Sequence, residues 1–188
     1  IGFGNGIMKH FVYNDPEWTY KNYNFDRLAK DSERVAETLN ATNPDLSGLA
    51  KAGTKLIVYQ GWSDPLIIPE PITHYYERAA ELAGGLQQLQ QNARLFMVPG
   101  WGHCWEKPAA APDDFDPLFE LEQWVEKDQA PDFIVARQLD AAGVEQRSRP
   151  ICSYPSVARL RAGKNPDNFD SYQCINNAPA AVSDVSGG

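Results

Sequence analysis

Histidine, the side chain that most often moves protons in enzymes, is scarce here: His10, His74 and His103 are the only three in 188 residues. The sequence has no Gly-x-Ser-x-Gly segment, so these residues carry no nucleophile elbow of that kind. The nearest approach, Gly61-Trp62-Ser63-Asp64-Pro65, has Pro65 where the second glycine belongs. Its ring would crowd the turn that exposes a nucleophile. No apolar run approaches the roughly 20 residues needed to span a bilayer, and no membrane partner is expected. The first residues show no basic stretch followed by an apolar one, and no initiator methionine. The amino terminus reads as a product of processing or cleavage. Positive charge is also short: 17 Lys and Arg against 25 Asp and Glu give a net charge of −8 and a pI near 4.8. That balance argues against nucleic acid and anionic membranes as partners.

Three cysteines cannot all pair with one another. Cys152 and Cys174 lie 22 positions apart around a loop rich in Pro, Gly, Asn and Arg. The spacing suits a disulfide worth about 3 kcal/mol in the chain-entropy account. Cys104 is left to pair outside the chain or to stay a free thiol. Disulfides belong to oxidising compartments, so a secreted or periplasmic location is expected. Asn40-Ala41-Thr42 is a glycosylation sequon in a eukaryotic source and otherwise a chance match in a polar turn. The 43% apolar and 11% aromatic content excludes a disordered chain and suffices for a real core.

Residues 1–30 are aromatic and Asn-rich without clean periodicity, and read as irregular or loosely helical. A short helix is predicted over Asp31–Leu39, with a boundary at Asn43-Pro44. From there the pattern is α/β. An apolar strand at 55–60 precedes a helix from Pro71 to Ala83, with Ile72, Tyr75, Tyr76, Ala79, Ala80 and Ala83 on one face. A strand at 94–98 precedes a helix from Pro117 to Glu126, capped by Asp116 and striped by Leu118, Leu121 and Val125. Strand-like runs at 133–136 and 144–151 follow, and 176–188 reads as a flexible tail. The β-α-β-α order predicts two neighbouring parallel strands. Such strands are normally buried centrally, so more sheet is expected from elsewhere.

Each strand ends in a chemically useful loop. Leu56-Ile57-Val58-Tyr59 runs into Gln60-Gly61-Trp62-Ser63-Asp64-Pro65, and Leu95-Phe96-Met97-Val98 into Pro99-Gly100-Trp101-Gly102-His103-Cys104. An acid and then a histidine, each on a turn after a strand, is the second half of the Ser…Asp…His order of α/β-hydrolases. Asp64 would fix the tautomer of His103, and His103 would act as general base. His74, off the apolar face of its helix, reads as solvated, and His10 has no partner signature. Ser63 sits beside the acid in the wrong geometry for a nucleophile. Asp113, Asp114 and Asp116 read as a solvated loop and a helix cap rather than as a glycosidase pair or a metal site.

These two loops, together with Trp124-Val125-Glu126, Ala130-Pro131-Asp132 and Arg149-Pro150-Ile151-Cys152-Ser153-Tyr154-Pro155, resemble the tannase and feruloyl esterase family. That family includes an enzyme that hydrolyses mono(2-hydroxyethyl) terephthalate. The resemblance runs from about residue 43 to 175, and less clearly over the first 40. It implies an α/β fold that is the carboxy-terminal part of an α/β-hydrolase domain (43–175), preceded by the end of a lid domain (1–42). It also implies that Asp64 and His103 are the acid and base of a Ser-His-Asp esterase. Cys104 would be disulfide-bonded to a Cys beside a serine in an upstream segment or partner chain. Gln60 departs from the family, which often has His there, and can still donate a hydrogen bond. Ile67, Trp62, Trp101 and Trp105 could line a pocket for a small aromatic ester, packing being the alternative role for each. Calcium is a cofactor of the upstream lid in this reading, with no ligand in these residues. The alternative function is a non-catalytic aromatic- or carbohydrate-binding module built on five tryptophans.

Overall fold

The computed structural model describes residues 2–103 and 111–177. The chain divides into two compact units, residues 1–43 and 44–188. In the first, helix α1 (Gly2–Ile7) continues into a π-helical stretch at Met8–Val12, and helix α2 spans Leu28–Leu39. Between them Tyr13 stacks on Trp18 and Tyr23 meets both Trp18 and Phe25 edge-on, with ring centroids 5.3–5.7 Å apart. Asp31 of α2 accepts hydrogen bonds from the Tyr13 and Tyr23 hydroxyls and pairs with Arg27. Contacts between rings organise this unit, which is why it carries no helical period. The helix predicted from Asp31 starts one turn earlier.

The second unit opens with a short helix, α3 (Ser47–Lys51), and strand β1 (Leu56–Gly61). Helices α4 (Glu70–Leu82) and α5 (Leu86–Leu89) lead to strand β2 (Ala93–Val98). β1 and β2 pair in parallel, from Leu56 opposite Ala93 to Gly61 opposite Val98. Alternation along β2 serves two cores. Leu95 and Met97 pack with Tyr76, Ala79 and Ala80 of α4, while Phe96 and Val98 pack with Ile134, Ala136 and Ile151. A strand apolar on both faces is the pattern of a parallel sheet interior. The outer edge of β2 is closed by the Phe96–Ser153 bridge and by the Tyr154 N–H on the Leu95 carbonyl at 2.8 Å. β1 has no second strand partner among the described residues, and Tyr59 is half exposed at 47%.

Helix α6 (Pro117–Lys127) is capped by the Asp116 carboxylate, which accepts the Phe119 N–H at 2.9 Å. Its buried face differs from the stripe read in the sequence. Leu118 and Val125 are exposed, and Trp124, 2% exposed, is the residue that anchors the helix. The Lys55 ammonium and the Arg94 guanidinium lie 5.2 and 5.8 Å from its ring centroid. Burying the largest side chain turned the helix by one position relative to the leucine stripe.

Strands β3 (Phe133–Leu139) and β4 (Glu145–Cys152) form an antiparallel pair, as do β5 (Ser156–Leu160) and β6 (Tyr172–Asn176). The Cys152–Cys174 disulfide ties β4 to β6. Asn176, placed by sequence at the start of the tail, is the last residue of β6. The remainder of the tail beyond residue 177 lies outside the described residues, as do Cys104 and Trp105. Among the described residues no helix is long and apolar enough to cross a membrane. Trp124→Ala should lower the stability of the chain in urea titration by about 3–5 kcal/mol. Leu118→Ala and Val125→Ala should each stay within about 0.5 kcal/mol of the parent, the reverse of what a Leu118–Leu121–Val125 core stripe requires.

Candidate active site

Parallel pairing brings the carboxyl ends of β1 and β2 side by side, and the loops beyond them are stitched together. The Trp62 N–H donates to the Val98 carbonyl at 3.0 Å, and the Ser63 N–H to the Trp101 carbonyl at 2.8 Å. Gly61 makes this approach possible. A Cβ built there would lie 2.4 Å from the Trp101 carbonyl oxygen and 2.8 Å from its carbon. The opposite loop turns at Gly100, whose φ of 76° lies in the left-handed region that glycine occupies without strain.

Two residues past Trp62 the chain makes a tight turn around Asp64. Its Oδ1 accepts the N–H groups of Leu66 and Ile67, both at 2.9 Å. This is the local turn that an Asp two positions before a free N–H favours. Its Oδ2 accepts from the Gln60 carboxamide at 3.3 Å. His103 Nδ1 lies 3.0 Å from Oδ2 and 3.2 Å from Oδ1. Burial alone would push the Asp64 carboxyl up. The hydrogen bonds from the Ile67 N–H, from His103 and from the Leu66 N–H outweigh it and hold the carboxyl below its ordinary value. The two side chains differ in access: Asp64 is 8% exposed and His103 37%. With Nδ1 on the carboxylate, neutral His103 carries its free lone pair on Nε2, which has no partner among the described residues. The pair can therefore accept a proton at Nε2 while the carboxylate steadies the imidazolium that forms.

The other sequence-predicted positions divide. Ile67 is 59% exposed immediately beside the acid turn. Trp62, 41% exposed, lines a cleft of about 350 Å³ with Met97, Pro99, Tyr154 and Pro155. Trp101 packs on the Phe115 ring at 5.2 Å against the core cluster of Phe96 and Val98, and its indole N–H is buried without a partner among the described residues. Ser63 makes no hydrogen bond to His103. His74 and His10 are exposed. The sequence reading did not include the two backbone donors on Asp64. The Asp64-Pro65 pair is the signal that points to them, since Asp before Pro favours turn initiation.

A histidine and a buried carboxylate joined across adjacent parallel strand ends belong to a fold of the α/β-hydrolase-like class. The family model described as "Tannase and feruloyl esterase" matches residues 4–175, and the chain belongs to that family. It is 38% identical over 178 residues to a "Probable feruloyl esterase" of Arthroderma benhamiae, covering 91% of this chain and 33% of that protein. It is 37% identical over 136 residues to the mono(2-hydroxyethyl) terephthalate hydrolase of Piscinibacter sakaiensis, covering 71% and 22%. The crystal structure of an esterase from Aspergillus oryzae superposes with a TM-score of 0.78 at 26% identity, covering 90% and 36%. The chain thus spans about a third or less of the length of these relatives.

Gly61→Ala should cost about 1–3 kcal/mol through overpacking against the Trp101 backbone. Gly48→Ala, which meets open space in α3, should be neutral or stabilising, and urea titration compares the two. The low carboxyl pKa also has a pH signature. The stability contributed by Asp64 is fully present above the unfolded value of about 3.8. It is lost as pH falls from there through the lower folded value. In Asp64→Asn the urea midpoint should therefore depend less on pH below 3.8 than in the parent.

Proposed function

We propose that these residues are the carboxy-terminal part of a serine carboxylesterase acting on esters of aromatic and hydroxyaromatic acids, with residues 1–42 ending its lid and 43–175 completing its catalytic domain. The observation that carries this reading is the 3.0 Å contact between His103 Nδ1 and the buried Asp64 carboxylate at neighbouring strand ends. A serine supplied by a segment outside these residues, upstream or on a partner chain, attacks the ester carbonyl. His103 Nε2 takes the serine proton and returns it to the leaving alcohol, while Asp64 stays ionised and stabilises the imidazolium. The same pair then activates water to release the acid from the acyl-enzyme.

The edge of β1, unpartnered among the described residues, supports the reading that more sheet is contributed from elsewhere. Cys104 would link the two parts through a cysteine beside that serine. The Cys152–Cys174 disulfide supports a secreted or periplasmic location. The names of the relatives, feruloyl esterase and terephthalate ester hydrolase, support an aromatic acyl group. Exposed Ile67 and Trp62 offer it apolar surface, and Trp101 backs the loop behind them. Calcium, in this reading, belongs to the part of the lid that lies outside these residues. No step above runs through it.

The test is made on the full-length polypeptide. A fluorophosphonate should label it at one serine outside residues 1–188, and His103→Ala should lower kcat on an aromatic ester by about 10⁴–10⁶. Absence of labelling would point to a binding module instead. An active His103→Ala enzyme would remove the proposed base.

A further inference from the structure

We propose that Gln60 is a positioning residue, which cross-braces the acid turn to strand β1 and aims the Asp64 carboxylate at His103. The inference rests on the esterase reading above. Gln60 is half-buried near the end of β1, and its Nε2 reaches two acceptors, the Ile67 carbonyl at 2.8 Å and Asp64 Oδ2 at 3.3 Å. A carboxamide nitrogen carries two protons, so both bonds form together. Asp64 Oδ1 is already held by the N–H groups of Leu66 and Ile67, donors local to the turn itself. Gln60 is the side chain that connects the turn to the sheet. It holds the far end of the turn through the Ile67 carbonyl, and it holds the oxygen nearest His103 Nδ1.

The brace is also uncharged. Among the described residues His103, from the loop after β2, is the one titratable side chain hydrogen-bonded to Asp64. Leu66 and Ile67, which also donate to the carboxylate, contribute backbone groups that do not ionise. A carboxamide donates at every pH, so the acid limb of the rate profile is left to the Asp64–His103 pair alone. An imidazole at position 60 would bring a second titration to the same carboxylate.

The experiment uses the full-length enzyme on a soluble aromatic ester. Gln60→Ala should lower kcat about tenfold with KM within about twofold, because an oriented group is lost and no substrate contact is. The acid limb of its kcat/KM profile should move to lower pH, since a carboxylate no longer aimed at Nδ1 holds the imidazolium less strongly. Gln60→His keeps an N–H donor and should restore kcat above pH 8 to within about threefold, with an acid limb steeper than one proton. If Gln60→Ala does not fold, Gln60→Asn, one methylene too short to reach both acceptors, is read in the same way. Loss of activity with an unmoved acid limb would make Gln60 a structural residue only and overturn the proposal, as would unchanged kcat. A wild-type enzyme that neither labels nor turns over defeats the esterase reading instead. In that case the downfield Nδ1 proton resonance of His103 decides the present question: it should shift or broaden in Gln60→Ala, and an identical resonance overturns the brace.

Discussion

Two parallel strands ending at the same level, and a glycine that lets their loops touch, set the position of everything chemical in this molecule. β1 and β2 stay in register to their last pair, Gly61 opposite Val98. The next two amides of one loop then bond to carbonyls of the other. Those bonds leave little room for either loop to drift. A side chain at position 61 would occupy the space of the Trp101 backbone. Asp64 and His103, 39 residues apart in sequence, meet because that contact holds the loops that carry them.

At the acid itself the polar groups are closely accounted for. The Asp64 carboxylate takes two backbone N–H groups, a carboxamide and an imidazole. These donors keep a buried carboxyl ionised although burial opposes it. The imidazole has one nitrogen committed and one open. Such an arrangement favours proton uptake from outside the pair over transfer within it.

Much of this was readable from residue types. Runs such as Leu95–Val98, apolar without alternation, point to a strand covered on both faces, and the glycine-flanked loop after it singles out His103. Asp64 followed by Pro65 announces a turn. Other elements were hidden for identifiable reasons. In α6 the leucine stripe misled because Trp124 buries more surface than any leucine and is flanked by Lys55 and Arg94. β5, Ser156-Val157-Ala158-Arg159-Leu160, alternates weakly and leaves Val157 and Leu160 exposed; its pairing with β6 is supported by the disulfide beside it. The first forty residues are organised by rings from turns, which leave no period to detect. At the site, the side chains were legible and the amide donors were not, because their direction depends on backbone angles that only the turn defines.

The unequal access of the two partners has a practical meaning for solution conditions. Dissolved ions act on charges they can approach, and the carboxylate is 8% exposed while the ring is 37% exposed. The electrolyte therefore reaches one end of the couple and not the other. Buffer strength, which readily weakens ion pairs on open surfaces, has little hold on a hydrogen bond between a neutral ring and a buried carboxylate, so the geometry that readies the imidazole persists in brackish and in dilute media alike.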